Sequence, residues 1–206
     1  MSVAFVLGNG RSRMGLDLDL MTRYGPIYAC NAIYREYRPA VLVATDRPIA
    51  EAIQHSGYSA QYRFHTRKPI PGLGAQPVPH QYHGYSSGPL AVSLAALDGY
   101  DPIYLVGFDL GGLPGELFNN VYADTEFYKK SSARPTYTGN WVRQICALSK
   151  DFPGVRLLRV MGESSAPIAQ FDGLKNSWSE YCLFQIASNA ASSFFRGPGA
   201  SKLEAS

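Results

Sequence analysis

Short runs that are apolar at every position recur along the chain, and each ends at a glycine or a polar residue. Val3 to Leu7 stops at Gly8, Pro26 to Cys30 stops at Asn31, and Ala40 to Ala44 stops at Thr45-Asp46. A run apolar on both faces suits a strand buried in a parallel sheet better than one half exposed to water. Ile103 to Val106 is a fourth run, preceded by a helix legible from its ends. Ser86-Ser87-Gly88 reads as its cap, Pro89 as its first turn, Leu90, Leu94 and Leu97 as one stripe and Gly99 as its stop. Trp141 to Lys150 reads as a second helix, turned by Pro153-Gly154 into the strand Val155 to Val160.

Strand, helix and strand in this order predict an α/β fold: a Rossmann-like, doubly wound, mostly parallel sheet flanked by helices, in a single domain over residues 1–196. Residues 197–206, small and polar, are expected to form a flexible C-terminal tail. The aromatic stretch Trp178 to Phe195 reads as a helix that packs on the sheet or docks a partner. Two irregular stretches, 66–84 and 110–140, break the pattern. Long loops in a compact domain are usually functional, and in an open parallel sheet they hang at the carboxyl ends of the strands, where ligands bind.

Composition narrows the function classes. At 206 residues with 46% hydrophobic and 17% charged positions, the chain reads as one globular domain. A net charge of +3, evenly scattered, gives no basic cluster for tracking phosphates, so nucleic acid is not the expected partner. Three widely spaced cysteines, Cys30, Cys146 and Cys182, form no CxxC pair, which fits a reduced, cytoplasmic protein. No apolar run is long enough to span a bilayer.

Candidate chemistry sits at the strand ends. Gly8-Asn9-Gly10-Arg11-Ser12 follows the first strand directly; glycines let backbone approach a phosphate, and the amides that follow can donate to it. It is not the dinucleotide fingerprint, because position 13 is Arg13 rather than glycine. A tight turn without a ligand is the alternative. Ser86, Ser87 and Gly88 open a helix whose free N–H groups favour an anion, or form an ordinary N-cap. Asp46 and Asp109 close strands, where a carboxylate can hold Mg²⁺, accept a ribose hydroxyl or act as a base, and where aspartate also caps turns. Asn31 has the same address. His80 and His83 precede Ser86, and His83 is a candidate acid or base.

Taken in order, Gly8-Asn9-Gly10-Arg11-Ser12, Ala29-Cys30-Asn31, Ser86-Ser87-Gly88 and the segment Ile103 to Asp109 resemble the bacterial lipooligosaccharide sialyltransferase family. They are also similar to motility-associated flagellin glycosyltransferases and MptE-like hydroxymethylpterin diphosphokinases, and Asn119 to Tyr122 resembles uncharacterised phage-encoded proteins of this fold. The resemblance implies a nucleotide-dependent transferase, using a CMP-sugar or similar nucleotide sugar and a carbohydrate-type acceptor. In it Asn9, Asn31, Ser87 and Gly88 contact the nucleotide, and the catalytic group is sought among Asp109, Asp46 and His83. The diphosphokinase resemblance implies ATP and Mg²⁺, with Asp46 and Asp109 as metal ligands. A third reading is a non-catalytic phage accessory protein that keeps the fold. The chain departs from the sialyltransferases at three places: Asn140 stands where they carry a catalytic histidine, Leu110 where they carry a tyrosine, and Gly84 where they carry an arginine.

Overall fold

The computed structural model describes residues 2–172 and 179–182. Eight strands form one sheet: β1 (Ala4–Leu7), β2 (Ile27–Cys30), β3 (Val41–Val43), β4 (Phe64–Thr66), β5 (Gln76–Pro77), β6 (Ile103–Val106), β7 (Leu157–Met161) and β8 (Ser179–Cys182). Their spatial order is β5-β4-β3-β2-β1-β6-β7-β8, and every neighbouring pair is parallel. The chain builds outward from β1 in one direction and then returns to lay β6 on its other side. That reversal is the topological switch point of a doubly wound fold, and it opens a crevice above β1 and β6.

Alternation along β1 explains why its run is apolar throughout. Ala4 and Val6 face a core shared with α4 (Ser87–Leu97) and α5 (Gly139–Asp151), while Phe5 and Leu7 face a second core under α2 (Arg47–His55). Helix α4 differs from the expected single stripe. Ser87 and Pro89 to Ala96 are all buried, because the helix lies centrally over β1, β2 and β3, whereas Leu97 is 48% exposed. Stretch 66–84 is less irregular than expected, since it contains β5 and a turn of 3₁₀ helix at His80–Tyr82. Of the expected helix from Trp178 to Phe195, residues Ser179–Cys182 form strand β8 beside β7; the rest, and the tail 197–206, lie outside the described residues.

At the β4 end of the sheet His65 is buried, its Nδ1–H directed at the Pro77 carbonyl (3.0 Å) while Nε2 accepts from Arg63 Nε (3.2 Å). Burial holds its pKa below the ordinary histidine value, helped by the charge on Arg63. The unfolded chain therefore takes up a proton there that the folded chain resists, and stability falls as pH drops through about 6.5 and below. We expect the urea midpoint to decline from pH 7 to 5 in the wild type and to flatten over that interval in His65→Gln.

Candidate active site

A cavity of about 460 Å³ occupies the crevice at the switch point. Gly8, Asn9 and Gly10 enter it from the end of β1, Asn31 from β2, Thr45 and Asp46 from β3, Gly107 to Gly111 from β6, and Ser86 to Pro89 from the start of α4. Loop 110–140 supplies most of the opposite wall, including Phe118, Asn119, Phe127, Tyr128 and Lys129. The structure thus brings together Gly8, Asn9, Gly10, Asn31, Asp46, Ser86, Ser87, Gly88 and Asp109. Arg11, Ser12 and His83 do not line the cavity, and His83 is exposed at the surface.

The glycine loop is built differently from a phosphate cradle. Gly8 and Gly10 donate their N–H groups to Val106 O and Gly107 O (2.8 Å each), Arg11 N donates to Asn119 Oδ1 (3.0 Å) and Ser12 N to Asp109 Oδ2 (3.0 Å). Four of its five amides are thereby spent on protein acceptors, and among them Asn9 N–H alone has no acceptor among the described residues. The glycines answer to packing. A Cβ on Gly8 would sit 2.5 Å from Gly107 O, and one on Gly10 would sit 2.7 Å from the same oxygen and press into the Asp109 carboxylate. Gly10→Ala is therefore expected to destabilise the fold by about 1–3 kcal/mol in urea unfolding, as overpacking does where backbone cannot yield.

Asp109 is 3% exposed, and its carboxylate accepts five hydrogen bonds: from Ser12 N, Ser12 Oγ, Asn119 Nδ2 (3.0 Å), Ser164 Oγ (2.6 Å) and Ser165 Oγ (3.2 Å). Its backbone oxygen accepts from Arg159 Nη2 at 2.8 Å and from Ala166 N at 2.8 Å. A carboxylate so fully engaged ties three loops together, and the roles of base and metal ligand expected for it do not fit that geometry. Asp46 is its opposite. It precedes α2, makes no side-chain cap and is exposed on the cavity wall; its backbone oxygen accepts from Ala50 N (3.0 Å), and its carboxylate has no hydrogen-bond or ion-pair partner among the described residues.

Helix α4 presents the open donors. Ser86 N donates to Gln144 Oε1 (2.9 Å), and the Ser87 hydroxyl accepts from Thr45 N (3.0 Å), fixing the helix start to the end of β3. The N–H groups of Ser87 and Gly88 have no acceptor among the described residues, and Pro89 has none to offer. Beside them lies Arg67, at the end of β4, whose Nε and Nη2 donate to His83 O (2.8 Å) and Tyr85 O (2.7 Å). Sequence reasoning sought an arginine near Gly84 and missed this one, which arrives from another strand. Asn31 adopts φ 59°, and its Oδ1 is buried with no partner. Leaving such an acceptor unmet costs about 1–3 kcal/mol, so the geometry favours a ligand that donates to it. Cys30, at the cavity's edge beside Asn31, is buried, and that burial pushes its thiol up to about 12.

No family model matches the chain, and no curated protein matches its sequence. Solved structures do. A variant of the sialyltransferase CstII in complex with CMP superposes with a TM-score of 0.53 at 13% identity, over 77% of this chain and 81% of that one. CstII, an enzyme of Campylobacter jejuni, in complex with a trisaccharide acceptor and CMP, gives 0.50 at 13% identity, over 77% and 80%. The MAf glycosyltransferase of Magnetospirillum magneticum AMB-1 gives 0.47 at 16% identity, this chain spanning 35% of that protein. At such identities the likeness is one of fold, and the chain has the single-domain, Rossmann-like α/β fold that sialyltransferase CstII also has.

Proposed function

We propose that the cavity binds the nucleotide of a sugar donor, of the CMP-sugar type, and that the protein transfers the sugar to an acceptor hydroxyl. The observation that carries this reading is the convergence, at the switch point, of two unengaged N–H groups on Ser87 and Gly88 with the Arg67 guanidinium. The positive end of an eleven-residue helix and a fixed cation together match a phosphate. CMP in the CstII structures of the same fold supports the choice of a cytidine nucleotide. Asn31 Oδ1 accepts a hydrogen bond from the nucleotide, and Asn9, whose Nδ2 reaches Tyr128 OH at 3.4 Å, borders the same space.

In the transfer, the acceptor hydroxyl gives its proton to Asp46 while its oxygen bonds to the anomeric carbon. The bond from that carbon to the phosphate oxygen breaks, and the electron pair leaves with the nucleotide. Ser87 N–H, Gly88 N–H and Arg67 stabilise the charge that develops there. Asp46 takes the role of base because Asp109 is fully hydrogen-bonded and His83 lies outside the cavity.

One observation favours a second reading, a nucleotide-binding module without turnover: no histidine lines the cavity, and Asn140 in its wall is engaged by Arg143. Calorimetric titration with CMP, CTP, UDP and ATP, each with and without Mg²⁺, tests the proposal. Metal-independent preference for cytidine nucleotides, with micromolar affinity, is the expected result; metal-dependent preference for ATP would replace it with the diphosphokinase reading.

A further inference from the structure

The segment 118–129 crosses the cavity as a strap, contributing Phe118, Asn119, Asn120, Phe127, Tyr128 and Lys129 to its wall. It belongs to no helix or strand, and three of its surroundings' backbone positions, Glu116, Asp124 and Phe127, have positive φ (55°, 66° and 70°). Segments of this kind ordinarily move, yet this one is held near its start by Asn119 and by Val121 N, which donates to Asn9 O (2.9 Å), at its far side by Arg35 on Thr125 and Glu126, and between them by one buried side chain. Tyr122 turns inward and is 7% exposed; Arg13 Nη2, equally buried, donates to its hydroxyl at 2.8 Å, and the hydroxyl donates on to Glu36 Oε1. Burial and the Glu36 carboxylate keep this phenol protonated, so the donation to Glu36 persists across the ordinary pH range.

From Tyr122 the strap is internally braced. Thr125 Oγ1 donates to Tyr122 O (2.7 Å), Tyr128 N to Thr125 O (3.1 Å) and Asp124 N to Lys129 O (3.0 Å), and the rings of Tyr122 and Tyr128 lie 5.5 Å apart. Tyr128 OH then accepts from Ala32 N (3.3 Å), in the buried turn after β2. We infer that Tyr122, caught between Arg13 and Glu36, is the positioning residue for the strap's second part, 122–129, and so holds Tyr128 and Lys129 in the cavity wall. Tyr122, Arg13 and Glu36 do not line the cavity and take no part in the nucleotide binding or catalysis proposed above.

Hydrogen exchange followed by mass spectrometry on the ligand-free protein tests it. Tyr122→Phe keeps the ring and removes the hydroxyl, and exchange across 122–129 is expected to rise about tenfold while peptides spanning β1 and β3 are unchanged. Glu36, whose side chain is 56% exposed and lies 3.6 Å from Arg13 Nη2, provides a second variant: Glu36→Ala is expected to loosen 122–129 in the same way, and Glu36→Gln, which keeps an acceptor for the Tyr122 hydroxyl, to restore protection. Unaltered exchange over 122–129 in both Tyr122→Phe and Glu36→Ala would overturn the inference. So would a rise spread evenly over the sheet, which would mark Tyr122 as a residue of general stability.

Discussion

Asp46→Asn is expected to lower sugar transfer at least about 100-fold while leaving CMP affinity within a few-fold of wild type. The size follows from the chemistry of the cavity. Two carboxylates line it, and one, Asp109, has both oxygens taken by five donors. Asp46 alone keeps an open oxygen, and general-base assistance contributes about 10²–10⁴ in rate. Asparagine matches its shape and cannot take up the acceptor proton. Steady-state kinetics with a CMP-sugar donor, beside calorimetry with CMP, separates the two effects. A variant that turns over at the wild-type rate would remove Asp46 from catalysis. Wild-type protein that binds CMP and transfers nothing to any acceptor offered would favour the binding-module reading.

Asp109→Ala is expected to be the most damaging single substitution for the fold, at roughly 3–5 kcal/mol in urea unfolding. The Ser164 and Ser165 hydroxyls can rotate toward water, but Ser12 N–H is held in place and would be left without an acceptor, and Asn119 Nδ2 would keep only Ser164 O (3.2 Å). The three segments joined at this carboxylate, after β1, after β6 and after β7, would lose their common anchor, so the loss should appear in stability before it appears in binding. A variant as stable as wild type would show that the carboxylate is dispensable to the frame and reopen it as a reactive group.

The two aspartates show where reading from sequence stops. Both close a strand, and both have the address of a ligand-binding carboxylate. What distinguishes them is partners up to 97 residues away in sequence, Ser12, Asn119, Ser164 and Ser165, which local pattern does not contain. Gly8 and Gly10 are similar. A glycine pair after a strand is equally the mark of an anion loop and of close packing, and only the approach of Gly107, brought by the parallel pairing of β1 with β6, decides for packing. Strands β1, β2, β3, β6 and β7 and helices α4 and α5 were legible because burial on both faces and clear end signals agree with tertiary position. Helix α2 carried its own signals, Asp46 before Pro48 and Ile49 above Ile53, yet its short amphipathic face is diluted by polar residues. Strand β5 is two residues, glutamine and proline, both exposed at a sheet edge, where no apolar pattern is required. Arg67 has no local signature, because it reaches the cavity from the end of β4, twenty residues before Ser87 in the chain, and only the pairing of β4 with β3 brings it there.

The central claim is that α4, and not the glycine loop, receives the phosphate. Amide NMR of ¹⁵N-labelled protein titrated with CMP tests it most directly, since an N–H that gains an acceptor shifts downfield while one already engaged moves little. Large shifts are expected at Ser87 and Gly88, with small ones at Gly8, Gly10 and Ser12. Saturating shifts at the glycine loop with Ser87 and Gly88 unmoved, or none anywhere at millimolar CMP, would contradict it.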